Sequence, residues 1–399
     1  MTAVHQFLSA LLPRDATGAH ALALRSAFRA AGWSSEIYVE AAHDELLHEA
    51  TYFGRYPGRA TPGDVLLYHL STASPIAELL AGRAETLVLD YHNVTPASFY
   101  VDWEPETARR ADRARLEAAA LASRAALCIT HSRFNADELS ALGCPSTEVI
   151  PVLSGMGPEH WRAPRSEAVG SARAAGDPGG DHPGGDHPGG DQRSGAAWLF
   201  VGRLSPNKAQ HRVVEALWWY RRLFDPGARL DLVGSPVTPA YVAALSAFVA
   251  ELGLEGAVRL HEGLSTDQLR RRYMEADVFV CLSEHEGFCV PLMEAMAFGL
   301  PIVAYRAGAV PETLGDAGLL VDAKRPATVA VAVSRVLGDE TLRAHLRRAG
   351  QDRLDRLDPD AARSRFVEVL APLVGAPLPA SDPGPVPAFA GQDAGGPTP

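Results

Sequence analysis

The chain has 399 residues, more than one hydrophobic core usually organises, so two domains are expected. Its 47% hydrophobic content is ample for burial, and its net charge of −11 argues against a general nucleic-acid binder. The four cysteines, Cys128, Cys144, Cys281 and Cys289, show no metal or disulfide spacing and read as free thiols in a reducing compartment. Met1 leads directly into Val4-His5-Gln6-Phe7-Leu8 without a basic n-region, so no signal peptide is expected. With no apolar stretch of ~18 residues, no membrane span is expected either.

In chain order, strand-like runs fall at Val4–Leu8, Ser35–Val39, Asp64–His69, Thr86–Tyr91, Ala126–Thr130 and Glu148–Pro151. Helical stretches such as Gly18–Ala31 and Pro105–Ser123 lie between them. Strand–helix alternation of this kind predicts an α/β fold with a parallel sheet covered on both faces. Residues 1–165 are assigned to this first Rossmann-like domain. Residues 166–195 contain the tandem repeat Asp177-Pro-Gly-Gly-Asp181-His-Pro-Gly-Gly-Asp186-His-Pro-Gly-Gly-Asp191. With no apolar content it reads as a disordered linker, and His182 and His187 read as low-complexity residues rather than metal ligands.

Alternation resumes with runs at Ala197–Gly202, Arg229–Gly234, Ala257–His261, Val278–Leu282, Pro301–Tyr305 and Gly318–Val321. Helices are expected at Lys208–Phe224, Pro239–Leu252, Thr266–Glu275 and Pro291–Phe298. Residues 196–358 thus form a second doubly wound domain, 359–375 a closing helix and 376–399 a disordered tail.

The richest stretch runs from Ser283 through Glu286-Gly287-Phe288-Cys289-Val290-Pro291 to Glu294. A strand leads into a glycine turn and then a helix with Pro291 in its first turn. Cys289 and Val290 are poor N-caps, so the first amides of that helix stay open to an anionic ligand. Earlier, Gly202 and Arg203 follow a strand and Lys208 stands where a helix should begin. A guanidinium fork and an ammonium on one loop suit a diphosphate.

In this order, Gly202-Arg203…Lys208 and Glu286-x7-Glu294 resemble the donor site of a retaining family 4 glycosyltransferase with the GT-B fold. Gly299-Leu-Pro301, Gly308-Ala-Val-Pro311-Glu312 and Asp316-Ala-Gly318…Asp322 continue the pattern. The resemblance is dense over Ala196–Asp322 and looser before it, and is strongest to bacterial surface-polysaccharide mannosyltransferases. It implies two Rossmann-like domains facing across a cleft. By that resemblance Arg203 and Lys208 bind the donor diphosphate, and Glu286 holds sugar hydroxyls. Gly202 and the backbone of Gly287, Phe288, Cys289 and Val290 approach the donor, and Glu294 binds the ribose. His92, in Tyr91-His92-Asn93, matches the family's sugar-facing histidine, and Gly18 its glycine-rich first loop, with one glycine where two are usual.

The implied reaction moves a hexose, mannose among the candidates, from GDP-mannose or a UDP-sugar to a hydroxyl of a glycan or glycolipid, with configuration retained. No cofactor and no metal are implied, since no Asp-x-Asp motif is placed at the donor phosphates. The compartment expected is the cytoplasm, and peripheral association with the inner face of the membrane is compatible with a lipid-linked acceptor. The arginines Arg109, Arg110, Arg113 and Arg115 read as a solvated helix face interleaved with acids. Two competing readings are a nucleotide-sugar epimerase or hydrolase of the same fold, and a non-catalytic nucleotide-sugar-binding scaffold.

Overall fold

The computed structural model describes residues 3–61, 63–153 and 195–375. The tandem repeat and the 376–399 tail lie outside the described residues. The chain divides into two compact units, Met1–Gly155 with Asp358–Pro399, and Met156–Leu357.

The first unit carries a parallel seven-stranded sheet. Its strands are β1 (Val4–Leu11), β2 (Ile37–Ala42), β3 (Thr51–Tyr52), β4 (Val65–Leu70), β5 (Thr86–Tyr91), β6 (Leu127–Thr130) and β7 (Thr147–Val149). Their order is β3-β2-β1-β4-β5-β6-β7, with Gln6 paired to Leu67 and Leu66 to Leu87. All six residues of β4 are buried, as a strand covered on both faces requires. One face packs Leu24 and Phe28 of the helix Ala16–Ala30 against Val4, Val65 and Val88. The other packs Ile76 and Leu80 with Ala111, Ala114, Ala118 and Leu121, the small-residue stripe of the helix Pro105–Ala122. The last helix, Pro359–Leu370, is capped by Asp358 and adds Ala362, Phe366 and Leu370 to the first of these cores.

The second unit repeats the plan with β8 (Ala197–Val201), β9 (Arg229–Val233), β10 (Val258–His261), β11 (Val278–Cys281), β12 (Ile302–Tyr305) and β13 (Leu319–Val321). All pairings are parallel, in the order β10-β9-β8-β11-β12-β13. In each sheet the order reverses beside its first strand, the crevice where doubly wound folds bind ligands.

Two expectations need correction. Cys128 and Cys144 are joined in a disulfide, so the free-thiol reading holds only for Cys281 and Cys289. The cause is strand pairing: Cys128 sits opposite Thr147 across β6 and β7, and its amide donates to Ser146 O, which brings the preceding loop over the thiol. Lys208 does not begin a helix. It ends a short 3-10 turn, Pro206–Lys208, and Ala209 at φ 50° separates that turn from the helix Gln210–Leu223. Beside the turn after β8, Gly234 lets two stretches of backbone pack closely. A Cβ on Gly234 would lie 1.9 Å from the Gly202 carbonyl oxygen.

Backbone cannot retreat as a side-chain tip can. Gly234→Ala is therefore expected to cost about 3 kcal/mol. Gly256, with open space around its Cβ position, is the control. Urea melts of the two alanine variants check this; equal midpoints would rule out the close approach.

Candidate functional site

In the second unit the strands flanking the order reversal are β8 and β11, and their C-terminal ends carry the residues singled out above. The loop after β8 runs through Gly202, Arg203 and the Pro206–Lys208 turn. Buried Asn207 ties it to the loop after β11. Its carbonyl accepts from Glu284 N at 2.8 Å, and its amide donates to the His285 carbonyl at 3.4 Å. Ser205 Oγ orients the same amide, at 2.7 Å from Asn207 Oδ1. The clip delivers Lys208 Nζ to 2.7 Å from Glu286 Oε1. Both side chains are largely buried, at 13% and 7% exposure, so the pair is screened little by solvent.

Behind Glu286 the backbone is held by Gly308. A Cβ there would lie 2.5 Å from Glu286 O, and Gly308 itself has φ +51°, a conformation glycine adopts readily. The neighbouring Ala309 amide donates to the same oxygen at 2.9 Å. Gly287 and Phe288 lead to Cys289, a non-glycine residue at φ 74°, which stands as N-cap of the helix Val290–Ala297 without a side-chain cap bond. Cys281 Sγ and Cys289 Sγ are 4.0 Å apart. Glu294, a turn inside the helix, is buried and accepts a hydrogen bond from Tyr273 Oη. Burial pushes the Glu294 carboxyl up to about 7, against the opposing pull of that bond.

Arg203 is exposed and makes no ion pair among the described residues. Lys208 and Glu286 are thus brought into contact, with Arg203 at the head of the same loop and Glu294 on the following helix. Asn207 and Tyr273 escaped the sequence reading. Asn207 had a local signal, a Pro-Asn-Lys run after a strand; Tyr273, 21 residues before Glu294, had none.

In the first unit His92 follows β5 and Gly18 lies in the first turn of the helix Ala16–Ala30. The Gly18 amide donates to the N-capping Asp15 carboxylate at 3.0 Å, so it is already committed within the chain. His20, left unassigned by sequence, is wholly buried. The arginines of the helix Pro105–Ala122 are mostly paired: Arg109 with Glu106, Arg113 with Glu117 and Arg115 with Glu138.

The family model for glycosyl transferases group 1 matches residues 194–353. The D-inositol 3-phosphate glycosyltransferase of Acidothermus cellulolyticus is 36% identical over 160 residues, 38% of this chain and 35% of that protein. The GDP-mannose-dependent alpha-(1-6)-phosphatidylinositol monomannoside mannosyltransferase of Mycobacterium tuberculosis is 32% identical over 161 residues, 38% of this chain and 41% of that protein. The chain therefore spans about two fifths of the length of the curated relatives it matches. Among solved structures, Anabaena HepE in complex with UDP-glucose superposes with a TM-score of 0.73 at 19% identity, over 93% of this chain and all of that one. The lipopolysaccharide glycosyltransferase WaaG follows with 0.68 at 14%, over 92% of this chain and 99% of that one. These likenesses are of fold alone: the chain has the GT-B type of α/β architecture. Among the described residues no helix is long and apolar enough to cross a membrane.

Proposed function

We propose that this chain is a retaining family 4 glycosyltransferase that moves a hexosyl group from a nucleoside diphosphate sugar to a hydroxyl of a glycan or glycolipid. The observation that carries the reading is the Lys208–Glu286 contact at 2.7 Å, formed where the second sheet reverses its strand order. A lysine there can turn its ammonium to a diphosphate, while Glu286 is freed to accept from sugar hydroxyls. The N-terminus of Val290–Ala297, which carries no side-chain cap, favours the same anion. Arg203, without an ion pair among the described residues, is available as the second cation.

In this reading the leaving diphosphate takes the acceptor's proton as the acceptor hydroxyl attacks the same face of the sugar. Arg203 and Lys208 stabilise the charge left on the phosphate, and Glu294 receives the ribose hydroxyls. His92 serves the sugar. The protein contributes positioning and fixed charge rather than a separate base. The cytoplasm is the proposed compartment. A donor of the GDP-mannose type is supported by the name of the mycobacterial relative, and a UDP-sugar by the HepE complex.

A thermal-shift panel of UDP-, GDP- and ADP-sugars tests the donor, because a ligand that binds only the folded chain raises its melting temperature. One nucleotide class is expected to shift the melt. Proton NMR of the product then reads the anomeric configuration. Conversion of the donor at full rate without acceptor would favour the epimerase or hydrolase reading, and inversion would sink the retaining one.

A further inference from the structure

A second concentration of chemistry lies in the first unit, where β4, β5 and β6 end side by side. Asp90, wholly buried in β5, is surrounded by His20, His69, His92 and His131. Asp90 Oδ2 lies 2.8 Å from His69 Nδ1, 3.1 Å from His20 Nε2 and 3.2 Å from His92 Nε2. His69 Nδ1 and His92 Nε2 are 3.1 Å apart. Asp90 Oδ1 lies 3.3 Å from His131 Nε2.

Hydrogen bonds on the far side of each ring decide where the protons are. Gln6 donates its amide NH2 to the Ala21 carbonyl at 3.0 Å, so its oxygen is the end that faces His69 Nε2 at 2.9 Å. That oxygen can only accept. His69 Nε2 therefore carries a hydrogen, and neutral His69 turns a lone pair on Nδ1 toward Asp90. His131 is fixed in the same sense: Nδ1 lies 2.9 Å from the Ile150 carbonyl and must donate, which leaves a lone pair on Nε2. His20 is the opposite case. Its Nδ1 accepts from the Leu153 amide at 2.9 Å, so its Nε2–H donates to Asp90.

Two imidazole lone pairs and a carboxylate thus converge with too few hydrogens between them. The deficit is visible in the structure: Asp90 Oδ1 and His131 Nε2 are both buried, and neither has a hydrogen-bond partner among the described residues. Unless His92 Nε2 carries a hydrogen to share between His69 Nδ1 and Asp90 Oδ2, such an array is repulsive. A cation against His69 Nδ1 and Asp90 Oδ2 relieves the His69 side, and a histidine whose outer N–H is held by an amide or carbonyl oxygen is the usual form of a metal-ligating histidine.

We propose that His69 Nδ1, His92 Nε2 and Asp90 Oδ2 form a site for a divalent transition-metal ion of the zinc class. Ligands about 2.0–2.1 Å from a tetrahedral ion stand about 3.3 Å from one another. The three atoms here are 2.8 to 3.2 Å apart, so outward shifts of a few tenths of an ångström admit the ion. Imidazole with one carboxylate selects this class over magnesium or calcium, which favour all-oxygen shells. His20 is excluded as a ligand by its tautomer and acts as the hydrogen-bond donor that fixes Asp90. His131 is placed to join as a fourth ligand if the carboxylate turns. His92 is the least buried of the three ligands and marks the side from which an ion enters. Ligation at Nε2 leaves the hydrogen of His92 on Nδ1, so the residue keeps a donor for a substrate hydroxyl.

The sequence assigns no metal to the chain; the site shares His92 with the proposed transferase machinery, but its test reads metal binding and not activity. The test is cobalt(II) titration of the chelator-treated full chain, followed by visible absorption and by competition with zinc. One equivalent with the intense bands of a four- or five-coordinate ion is expected, displaced by zinc, together with a zinc-dependent rise in melting temperature. His92→Gln and His69→Gln should each abolish the bands and the rise. Circular dichroism of the metal-free variants establishes that they fold, and His92→Gln, at the less buried position, covers a failure of His69→Gln. A double substitution of His182 and His187 in the tandem repeat should leave both signals intact. No stoichiometric binding by the wild type overturns the proposal. So does binding that survives both histidine substitutions or disappears with the repeat histidines.

Discussion

Lys208→Ala is expected to lower turnover about a hundred- to a thousandfold, the usual cost of removing one preorganised charge contact (~3–4 kcal/mol). Arg203→Ala should fall in the same range, but the two variants should differ in stability. Lys208 is half of a largely buried pair, so its loss leaves Glu286 as a buried, uncompensated carboxylate, at a cost of ~3 kcal/mol. Arg203 is exposed and makes no ion pair among the described residues, and its loss should leave the melt nearly unchanged. The double variant Lys208→Met/Glu286→Gln removes both charges. It should regain most of the lost stability while remaining inactive, a non-additivity that a double-mutant cycle measures. Near-normal turnover in folded Lys208→Ala and Arg203→Ala would end the assignment of these cations to the donor.

The second large effect is on pH. Burial lifts the Glu294 carboxyl to about 7, above the ~4.3 of an unfolded glutamate. Between those values the folded chain holds a proton that the unfolded chain has released, so stability falls as pH rises from about 4.5 to 7 and levels off above. The group's share of that loss is about 3 kcal/mol. Glu294→Gln should remove this component, read as the difference between the two proteins' denaturation curves across that range. Nucleotide binding runs the other way. If the ionised carboxylate receives the ribose hydroxyls, affinity should climb by up to about tenfold per pH unit below 7 and flatten above. Tyr273→Phe removes the bond that favours the ionised form, so its midpoint should move higher. Calorimetric titration at several pH values checks both. A wild-type affinity that does not change with pH would show that Glu294 is not where the ribose binds.

Local signals carried much of the fold. β-branched and aliphatic runs such as Thr86–Tyr91 and Val278–Cys281 are bounded by helical stretches, and the strands form within a few residues of those runs. The two-residue strand β3, flanked by 3-10 turns, has no periodicity to read and went unseen. The resemblance over Ala196–Asp322 picked out Lys208, Glu286 and Glu294 by spacing and order, before any contact was known.

Contacts across long stretches of chain were another matter. Nothing in the spacing of Cys128 and Cys144 announced their bond; the parallel register of β6 against β7 did that. His20, His69, His92 and His131 are scattered through the first third of the chain with no motif among them. They meet at Asp90 because β4, β5 and β6 end side by side, carrying His69, His92 and His131, and the helix Ala16–Ala30 lays His20 against the same place. Sequence by itself therefore determined the alternating α/β architecture and picked out the charges proposed here to meet the donor. Burial patterns and turn residues are local properties that one strand or helix displays alone. Which charge neutralises which, which carboxyl is pushed toward neutrality and which imidazole nitrogen is left with a lone pair were decided only by tertiary structure. Those depend on distance and desolvation between segments that the chain separates by 20 to 80 residues or so, as Lys208 and Glu286 are by 78.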